Sequence, residues 1–434
     1  MATSPPESRW SREAVEEFLK REKPRYQKVL LPYGLSTEGE DRSNVADLVF
    51  PKDLSGKTVL DVGCFLGFFC LEAARRGASR IVGVDIDRDR LRQARTLSEI
   101  VGATIEYAHL DIEQSNPPGV FDYVLFLNVL HHVRDPIAVL DRLIAHTRER
   151  LILEIAGPDN PRPARMLKKL GAGWIARRSL GNLPVIVVGR NGTPGHGPEQ
   201  KFFFSAPALQ HFLLCQRRSF AGLDVRPSPF KDRFLMIARK RRIERLVLIA
   251  GPSGSGKSTL LARLLSRQCG DIASACGLGD PEEWVGSDRK RLLKDERQFL
   301  PKLIYHYDTL NPWGRDARIY SRDENLDVLG CSREVSALHC LATRRTLIQR
   351  LERELSERET AENARKSKRS GRERQQTRRV REVLELYADK ERLKEQVQEW
   401  LDYCRARSVH SFFVDTTAEP RLLGEDDWRR LLED

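Results

Sequence analysis

The chain has 434 residues, 31% of them charged and 40% hydrophobic, with a formal net charge of +12. That length excludes one ordinary domain and calls for two or three. The positive excess points to anionic partners: nucleic acid, phosphorylated small molecules or an anionic membrane surface. The eight cysteines show no CxxC spacing and indicate neither a zinc site nor a disulfide framework. The opening MATSPPESRWSREAVEEFLKREKPR is too polar for a signal peptide. No stretch reaches the roughly 18 continuous apolar residues of a membrane span. A soluble cytoplasmic protein is expected.

In chain order, residues 11–23 read as a helix and 31–43 as a polar loop. Strands and amphipathic helices then alternate. The strands are KTVLDVG, SRIVGVDID, IEYAHLD, FDYVLFLNVL and RERLILEIAG; the helices are FFCLEAARRG, RDRLRQARTLSEIVG and PIAVLDRLIAHT. This rhythm predicts a parallel sheet covered on both faces. A basic, Gly/Pro-rich stretch near 157–200 interrupts it and reads as an insertion or lid. SAPALQHFLLCQRR is a predicted helix, and DRFLMIARKRR closes the first unit near Arg242. RLVLIA opens the second unit almost at once. The expected fold is α/β, with two doubly wound domains at 1–242 and 243–434.

Asp61, Gly63 and Gly67 form D-x-G-x-x-x-G between a strand and a helix. Glycines here let the chain turn tightly and let a ligand lie against the backbone. Asp85 ends the next strand, where a carboxylate can accept both ribose hydroxyls. Asp111 follows the third strand and could receive an adenine amino group. Asn128, His131 and His132 follow the fourth. All fall at carboxyl ends of strands, where open α/β sheets bind ligands.

This order resembles the class I S-adenosylmethionine-dependent methyltransferases, from about Leu54 to Arg242. The resemblance implies a Rossmann-like domain with S-adenosylmethionine as cofactor. Its methionine end would lie on Asp61, Gly63 and Gly67, its ribose on Asp85 and its adenine at Asp111. Phe65 and Leu66 replace the smaller residues more usual in that loop. The segment beginning at Tyr26 is similar to that of the tRNA wobble-uridine carboxymethyltransferase-like group. By that likeness Tyr33, Arg42 and Ser43 are lid or acceptor residues; otherwise they belong to a solvated loop. His131 and His132 either supply a base for a neutral hydroxyl acceptor or merely start the next helix. An ionised acceptor would need no base. Residues 1–242 hold 38 Lys/Arg against 28 Asp/Glu, ten of the twelve excess charges, which favours an anionic acceptor.

The second half contains GPSGSGKST, Gly251 to Thr259. G-x-x-x-x-G-K-S between a strand and a helix is a phosphate-binding loop, with Ser253, Gly254, Gly256 and Thr259 contributing backbone. Lys257 would reach the β- and γ-phosphates of ATP and Ser258 would ligate Mg²⁺. Asp308, ending PKLIYHYD, is the candidate second Mg²⁺ ligand or general base. The element order resembles nucleoside-monophosphate-kinase-like small-molecule kinases, which implies an Arg-rich lid. Nine Lys/Arg with one acid, Glu373, lie between Arg365 and Arg381. They suit such a lid or a disordered nucleic-acid tail; their internal position favours the lid.

Together these features predict a bifunctional methyltransferase–kinase acting in two steps on one anionic or hydroxylated small-molecule or glycan acceptor. Such a fusion is similar to the methyltransferase–kinase enzymes that cap bacterial surface polysaccharides. One rival is an RNA-modifying (tRNA) methyltransferase with an accessory ATPase, although no RRM, KH or zinc knuckle is visible. The other is a regulator that senses ATP and S-adenosylmethionine without catalysis.

Overall fold

A computed structural model describes residues 10–157, 182–190, 200–216, 219–279, 283–292, 294–307, 326–364 and 371–433. The chain divides into two compact units, Met1–Lys240 and Arg241–Asp434. The boundary expected after Arg242 thus shifts by two residues, because Arg242 already pairs within the second unit's sheet.

The first unit is built on strands β1 (Thr58–Val62), β2 (Arg80–Asp85), β3 (Glu106–His109), β4 (Phe121–Leu127) and β5 (Thr147–Ala156). These are mutually parallel, as the alternation of strands and helices requires. A hairpin of β6 (Ile186–Arg190) and β7 (Gln200–Phe204) stands apart as its own two-stranded sheet. β8 (Phe220–Pro227) and β9 (Arg233–Lys240) then return to the main sheet, antiparallel to their neighbours. The order is β3-β2-β1-β4-β5-β9-β8. All seven residues of β4 are buried, which explains its unbroken apolar run.

Helices α1 (Arg12–Glu22), α2 (Ser43–Val49), α3 (Phe68–Arg75), α4 (Arg88–Val101) and α5 (Pro136–Ala145) complete this layer structure. Asp87 and Asp135 cap α4 and α5 with their side chains, and Pro136 takes the first position of α5. Apolar clusters lie on both faces of the sheet. The predicted helix from Ser205 is shorter than expected: α6 (Ala206–His211) passes into a π-turn at Phe212–Gln216. Of the expected 157–200 insertion, the described part is β6 with its approach; residues 158–181 and 191–199 lie outside the described residues.

The second unit has β10 (Arg242–Ala250), β11 (Val285–Ser287), β12 (Phe299–His306), β13 (Ser332–Leu341), β14 (His410–Asp415) and β15 (Arg421–Leu423). The order is β11-β12-β10-β13-β14-β15, parallel throughout except for β15. α7 (Lys257–Leu265) follows β10; α8 (Arg344–Ala364), α9 (Gly371–Ala388) and α10 (Lys390–Ala406) precede β14. The helical run from Val380 to Cys404 divides at Asp389, whose carboxylate caps α10 through Glu391 and Arg392 N–H groups. The basic run expected as a lid near 365–381 is helical from Gly371. Thr377 and Val380 are buried, and Val380, Val383 and Tyr387 join the unit's core. That part is a packed helix; residues 365–370 lie outside the described residues.

Lys240 is buried at the end of β9. Its ammonium donates at 2.7 Å to the carbonyls of Ile144 and Thr147, where α5 ends. A cation on terminal helix carbonyls is favourable both as a hydrogen bond and against the helix dipole. Lys240→Met keeps the aliphatic stem and removes both bonds. It should destabilise the first unit by about 1–3 kcal/mol in denaturant unfolding.

Candidate functional site

In the first unit β1 lies between β2 and β4, so the strand order reverses beside it. Such a switch point opens a crevice at the carboxyl ends of the strands. Here the crevice is a cavity of about 760 Å³ lined by Asp61, Gly63, Asp85, Asp111, Asn128 and His132. Most of the residues chosen from sequence therefore converge on one space. Gly67 sits behind the loop. Its φ is +78°, and a Cβ there would lie 2.2 Å from the Tyr107 hydroxyl. No L side chain fits that position.

The loop is held from two sides. Asp85 accepts the Phe65 N–H at 3.0 Å and the Asp87 N–H at 2.9 Å. Gln27, buried, accepts from the N–H groups of Leu66 at 3.1 Å and Phe68 at 3.4 Å. Sequence reasoning missed Gln27, which lies 39 residues before its partner Leu66. Phe65 lines the cavity and packs on Tyr26, with ring centroids 5.0 Å apart; Leu66 is wholly buried in the core. Asp111 accepts from the Glu113 N–H and the Gln114 side-chain amide.

Asp61 is 2% exposed. Burial, together with the nearby charge of Asp85, pushes its carboxyl up to about 7. The thiol of Cys70 is 3.8 Å away. A carboxyl in this state suits a cationic ligand, whose charge would favour ionisation.

Asn128 has φ +61° and contributes to two cavities. Its amide nitrogen faces the wholly buried carboxylate of Glu154, which can only accept, so the orientation of the amide is set. Its Oδ1 is buried with no hydrogen-bond partner. Glu154 also accepts from Arg42 Nη1 at 3.0 Å and from the Ser228 hydroxyl. Of the three candidates from the approach segment, only Arg42 lines the cavity. Tyr33 instead donates to the Trp10 carbonyl, and Ser43 to Asp41.

His131 and His132 lie on a single turn, Leu130–His132, with ring centroids 4.1 Å apart. They belong to this turn and not to α5. A second cavity of about 340 Å³ touches both and shares Tyr26, Asn128 and His132 with the first.

The second unit has its own site at the end of β10, again at a reversal of strand order between β12 and β13. Gly251, Gly254 and Gly256 all have positive φ. A Cβ on Gly251 would lie 2.2 Å from the Cys340 carbonyl oxygen, so β13 demands glycine here. The loop carbonyls are engaged by side chains: Arg350 binds that of Gly254 at 3.1 Å, Tyr387 that of Ser253 at 3.2 Å and Thr416 that of Ser255 at 2.6 Å. Of the loop's N–H groups, that of Ser255 donates to the Pro252 carbonyl at 3.2 Å; backbone N–H groups in such a turn can face an anion. Ser255 is wholly buried and its Oγ has no partner. Lys257 donates to the carbonyls of Gly251 and Pro252 at 2.9 Å, and Ser258 Oγ is 3.3 Å from His306 Nε2. Thr259 is exposed at the start of α7. Asp308 lies outside the described residues.

Comparison with known proteins places the first unit. Residues 39–213 match the family model described as a methyltransferase domain. A ubiquinone biosynthesis O-methyltransferase of Pseudomonas paraeruginosa is 42% identical over 89 residues, 20% of this chain and 38% of the relative. That of Rhodopseudomonas palustris is 32% identical over 124 residues, 29% of this chain and 48% of the relative. The chain thus spans less than half the length of these curated relatives. Among solved structures, the N-terminal domain of EvdMO1 with SAH and D-fucose is 21% identical, with TM-score 0.41, covering 54% of this chain and 98% of that one. A putative S-adenosylmethionine-dependent methyltransferase from Listeria monocytogenes is 20% identical, with TM-score 0.34, covering 46% and 97%. Residues 39–213 of the first unit thus carry the likeness to a methyltransferase domain. No described helix is long and apolar enough to cross a membrane.

Asp61 generates a test with opposite signs for binding and stability. If the ammonium of S-adenosylmethionine lies at Asp61, the carboxylate would attract it above about pH 7 and, once protonated, would not below. S-adenosylmethionine affinity, measured by calorimetry, should fall as pH drops from 8 to 6, and Asp61→Asn should be weak and flat across that range. The folded-state value lies above the unfolded one, so Asp61 costs stability as pH rises toward 7 and beyond. Asp61→Asn should therefore melt higher than the parent at pH 8.

Proposed function

We propose that the first unit transfers a methyl group from S-adenosylmethionine to a hydroxyl oxygen, and that the second transfers a phosphoryl group from ATP. The acceptor is a small molecule or glycan end. The observation that carries the methyl half is the convergence of Asp61, Asp85 and Asp111 on one cavity, with Asn128 and His132 opening into a second. The choice of oxygen follows the relatives, which are named as O-methyltransferases.

The residues fit the cofactor. Asp61 is poised to pair with an ammonium, Asp85 to accept from ribose hydroxyls, and Asp111 to accept from an adenine amino group. Bound S-adenosylmethionine supplies a methyl carbon made electrophilic by the adjacent sulfonium. The protein's task is to orient the acceptor and remove its proton. His132 lies at the junction of the two cavities and takes the hydroxyl proton as the new bond forms. His131 stacks beside it and orients the ring. Asn128 Oδ1, buried without a donor, accepts a hydrogen bond from the arriving substrate.

In the second unit the fit rests on the loop at Gly251–Ser258, with outward-tied carbonyls and three positive-φ glycines. Its N–H groups hold the phosphates of ATP. Lys257 exchanges its two loop carbonyls for phosphate oxygens, and Ser258 supplies a hydroxyl to Mg²⁺. Asp308 retains the part of second Mg²⁺ ligand or base. Two transfer units on one chain suggest successive steps on one molecule, one hydroxyl being phosphorylated and a second hydroxyl of the product methylated.

The test uses the full chain with γ-labelled ATP, methyl-labelled S-adenosylmethionine and cell extract separated into glycans, small metabolites and RNA. Both labels are expected on one glycan or metabolite. Lys257→Ala should abolish phosphoryl transfer and leave methyl transfer to a pre-phosphorylated acceptor intact. Methyl label on RNA without phosphoryl label elsewhere would replace this reading with RNA modification.

A further inference from the structure

The second cavity of the first unit differs in character from the first. The larger cavity is acidic, with Asp61, Asp85 and Asp111 on its walls. The smaller one brings together Lys201 and Arg233 with His131 and His132, and among the described residues no carboxylate lines it. Its remaining walls are Tyr26, Asn128, Ala156 and Phe203.

Both cations are placed by the fold. Arg233 opens β9 opposite Ala156, at the carboxyl end of β5. Its Nη1 is buried and no described group accepts from it. The nearest aromatic face, Phe230, lies 5.8 Å from the guanidinium carbon. A buried guanidinium N–H without an acceptor is costly unless an acceptor arrives. Glu154, the buried carboxylate on β5, already receives Arg42, Asn128 and Ser228. Lys201 is 7% exposed on β7, which packs against the histidine turn.

The sequence carries the same division. Residues 1–157, which supply the cofactor cavity, hold 21 Lys/Arg against 24 Asp/Glu. Residues 158–240 hold 15 Lys/Arg against 4 Asp/Glu. The whole positive excess of the first unit therefore lies in the segments that supply Lys201 and Arg233.

Resting on the methyltransferase reading above, we infer that the smaller cavity is the acceptor subsite and that Lys201 and Arg233 bind an oxyanion of the acceptor, holding its hydroxyl beside His132. The substrate class is a hydroxylated molecule with a carboxylate or phosphate group. Arg233 offers a planar fork suited to two oxygens of either group, and Lys201 a point charge. The aromatic walls admit a ring between the anion and the hydroxyl.

The test is calorimetric titration of the full chain, with S-adenosylhomocysteine present, by three probes. These are 4-hydroxybenzoate, 4-hydroxyphenyl phosphate and the neutral 4-hydroxybenzamide. One or both anions should bind at least about tenfold more tightly than the amide, as a charge-assisted pair requires. The preferred anion identifies the group. Arg233→Gln should erase the preference, and Arg233→Lys should restore part of it. Equal affinity for the amide, no binding by any probe, or a preference that survives Arg233→Gln would overturn the subsite. S-adenosylhomocysteine binding to each variant keeps the two readings separate. Retained cofactor binding with lost anion preference shows a folded protein and supports the subsite. No cofactor binding by the parent would instead overturn the methyltransferase reading.

Discussion

One buried carboxylate organises the first unit. Glu154 has no exposed surface, yet it gathers the Arg42 guanidinium, the Asn128 amide and the Ser228 hydroxyl. These groups come from the segment before the sheet, the exit of β4 and the turn between β8 and β9. An unpaired carboxylate there would be severely destabilising, whereas breaking such a pair from one side costs about 3–5 kcal/mol. The three segments are therefore held together around one oxygen pair. That single constraint fixes Arg42 in the wall of the cofactor cavity and Asn128 between the two cavities. It also sets the approach to β9, on which Arg233 stands.

The same logic of engaging one end of a polar group to free the other recurs in the second unit. Arg350, Tyr387 and Thr416 bind successive carbonyls of the loop after β10, from three different elements. Arg350 also binds the carbonyls of Thr416 and Thr417, so α8 and the exit of β14 are tied to the loop together. Each bond is modest alone. Their joint effect is to hold the peptide planes in one orientation, which is what an anion-binding loop needs before its ligand arrives. In the first unit Gln27 plays the corresponding part, but as an acceptor: it fixes the N–H groups of Leu66 and Phe68 at the entry to α3.

What could be read from the sequence was local. Asp61, Gly63, Asp85, Asp111 and Asn128 each sit at or just beyond the carboxyl end of a strand, and parallel pairing brings all strand ends to one edge. Gly251 and Gly256 are likewise set by a strand–loop–helix unit. The contributions of Gln27, Glu154, Lys201 and Arg233 were not legible, because each acts across a long sequence separation and none carries a spacing signal. The break between α9 and α10 is local too: Asp389 captures two N–H groups ahead of it and starts a new helix. The basic run after Arg365 was read from its charge and its place in the chain, and neither says anything about Thr377 and Val380, which packing buries.

Three of the six described positive-φ non-glycine residues of the first unit lie where its ligands would bind. Tyr26, Phe65 and Asn128 are non-glycine residues at φ +88°, +55° and +61°, and all three line the cofactor cavity. Such backbone costs about 1–3 kcal/mol per residue and persists only when neighbours over-determine it. Those neighbours are visible: Asp85 holds the Phe65 N–H, and Glu154 holds the Asn128 side chain and, by its carbonyl, the Asn128 N–H at 2.8 Å. Asp61 adds a buried carboxyl that is unfavourable to ionise in the same space. Strain and desolvation thus accumulate at one edge of an otherwise well-packed sheet. A ligand that brings an ammonium to Asp61 and a donor to Asn128 Oδ1 relieves both, so the architecture is stabilised by the molecule it is shaped to bind.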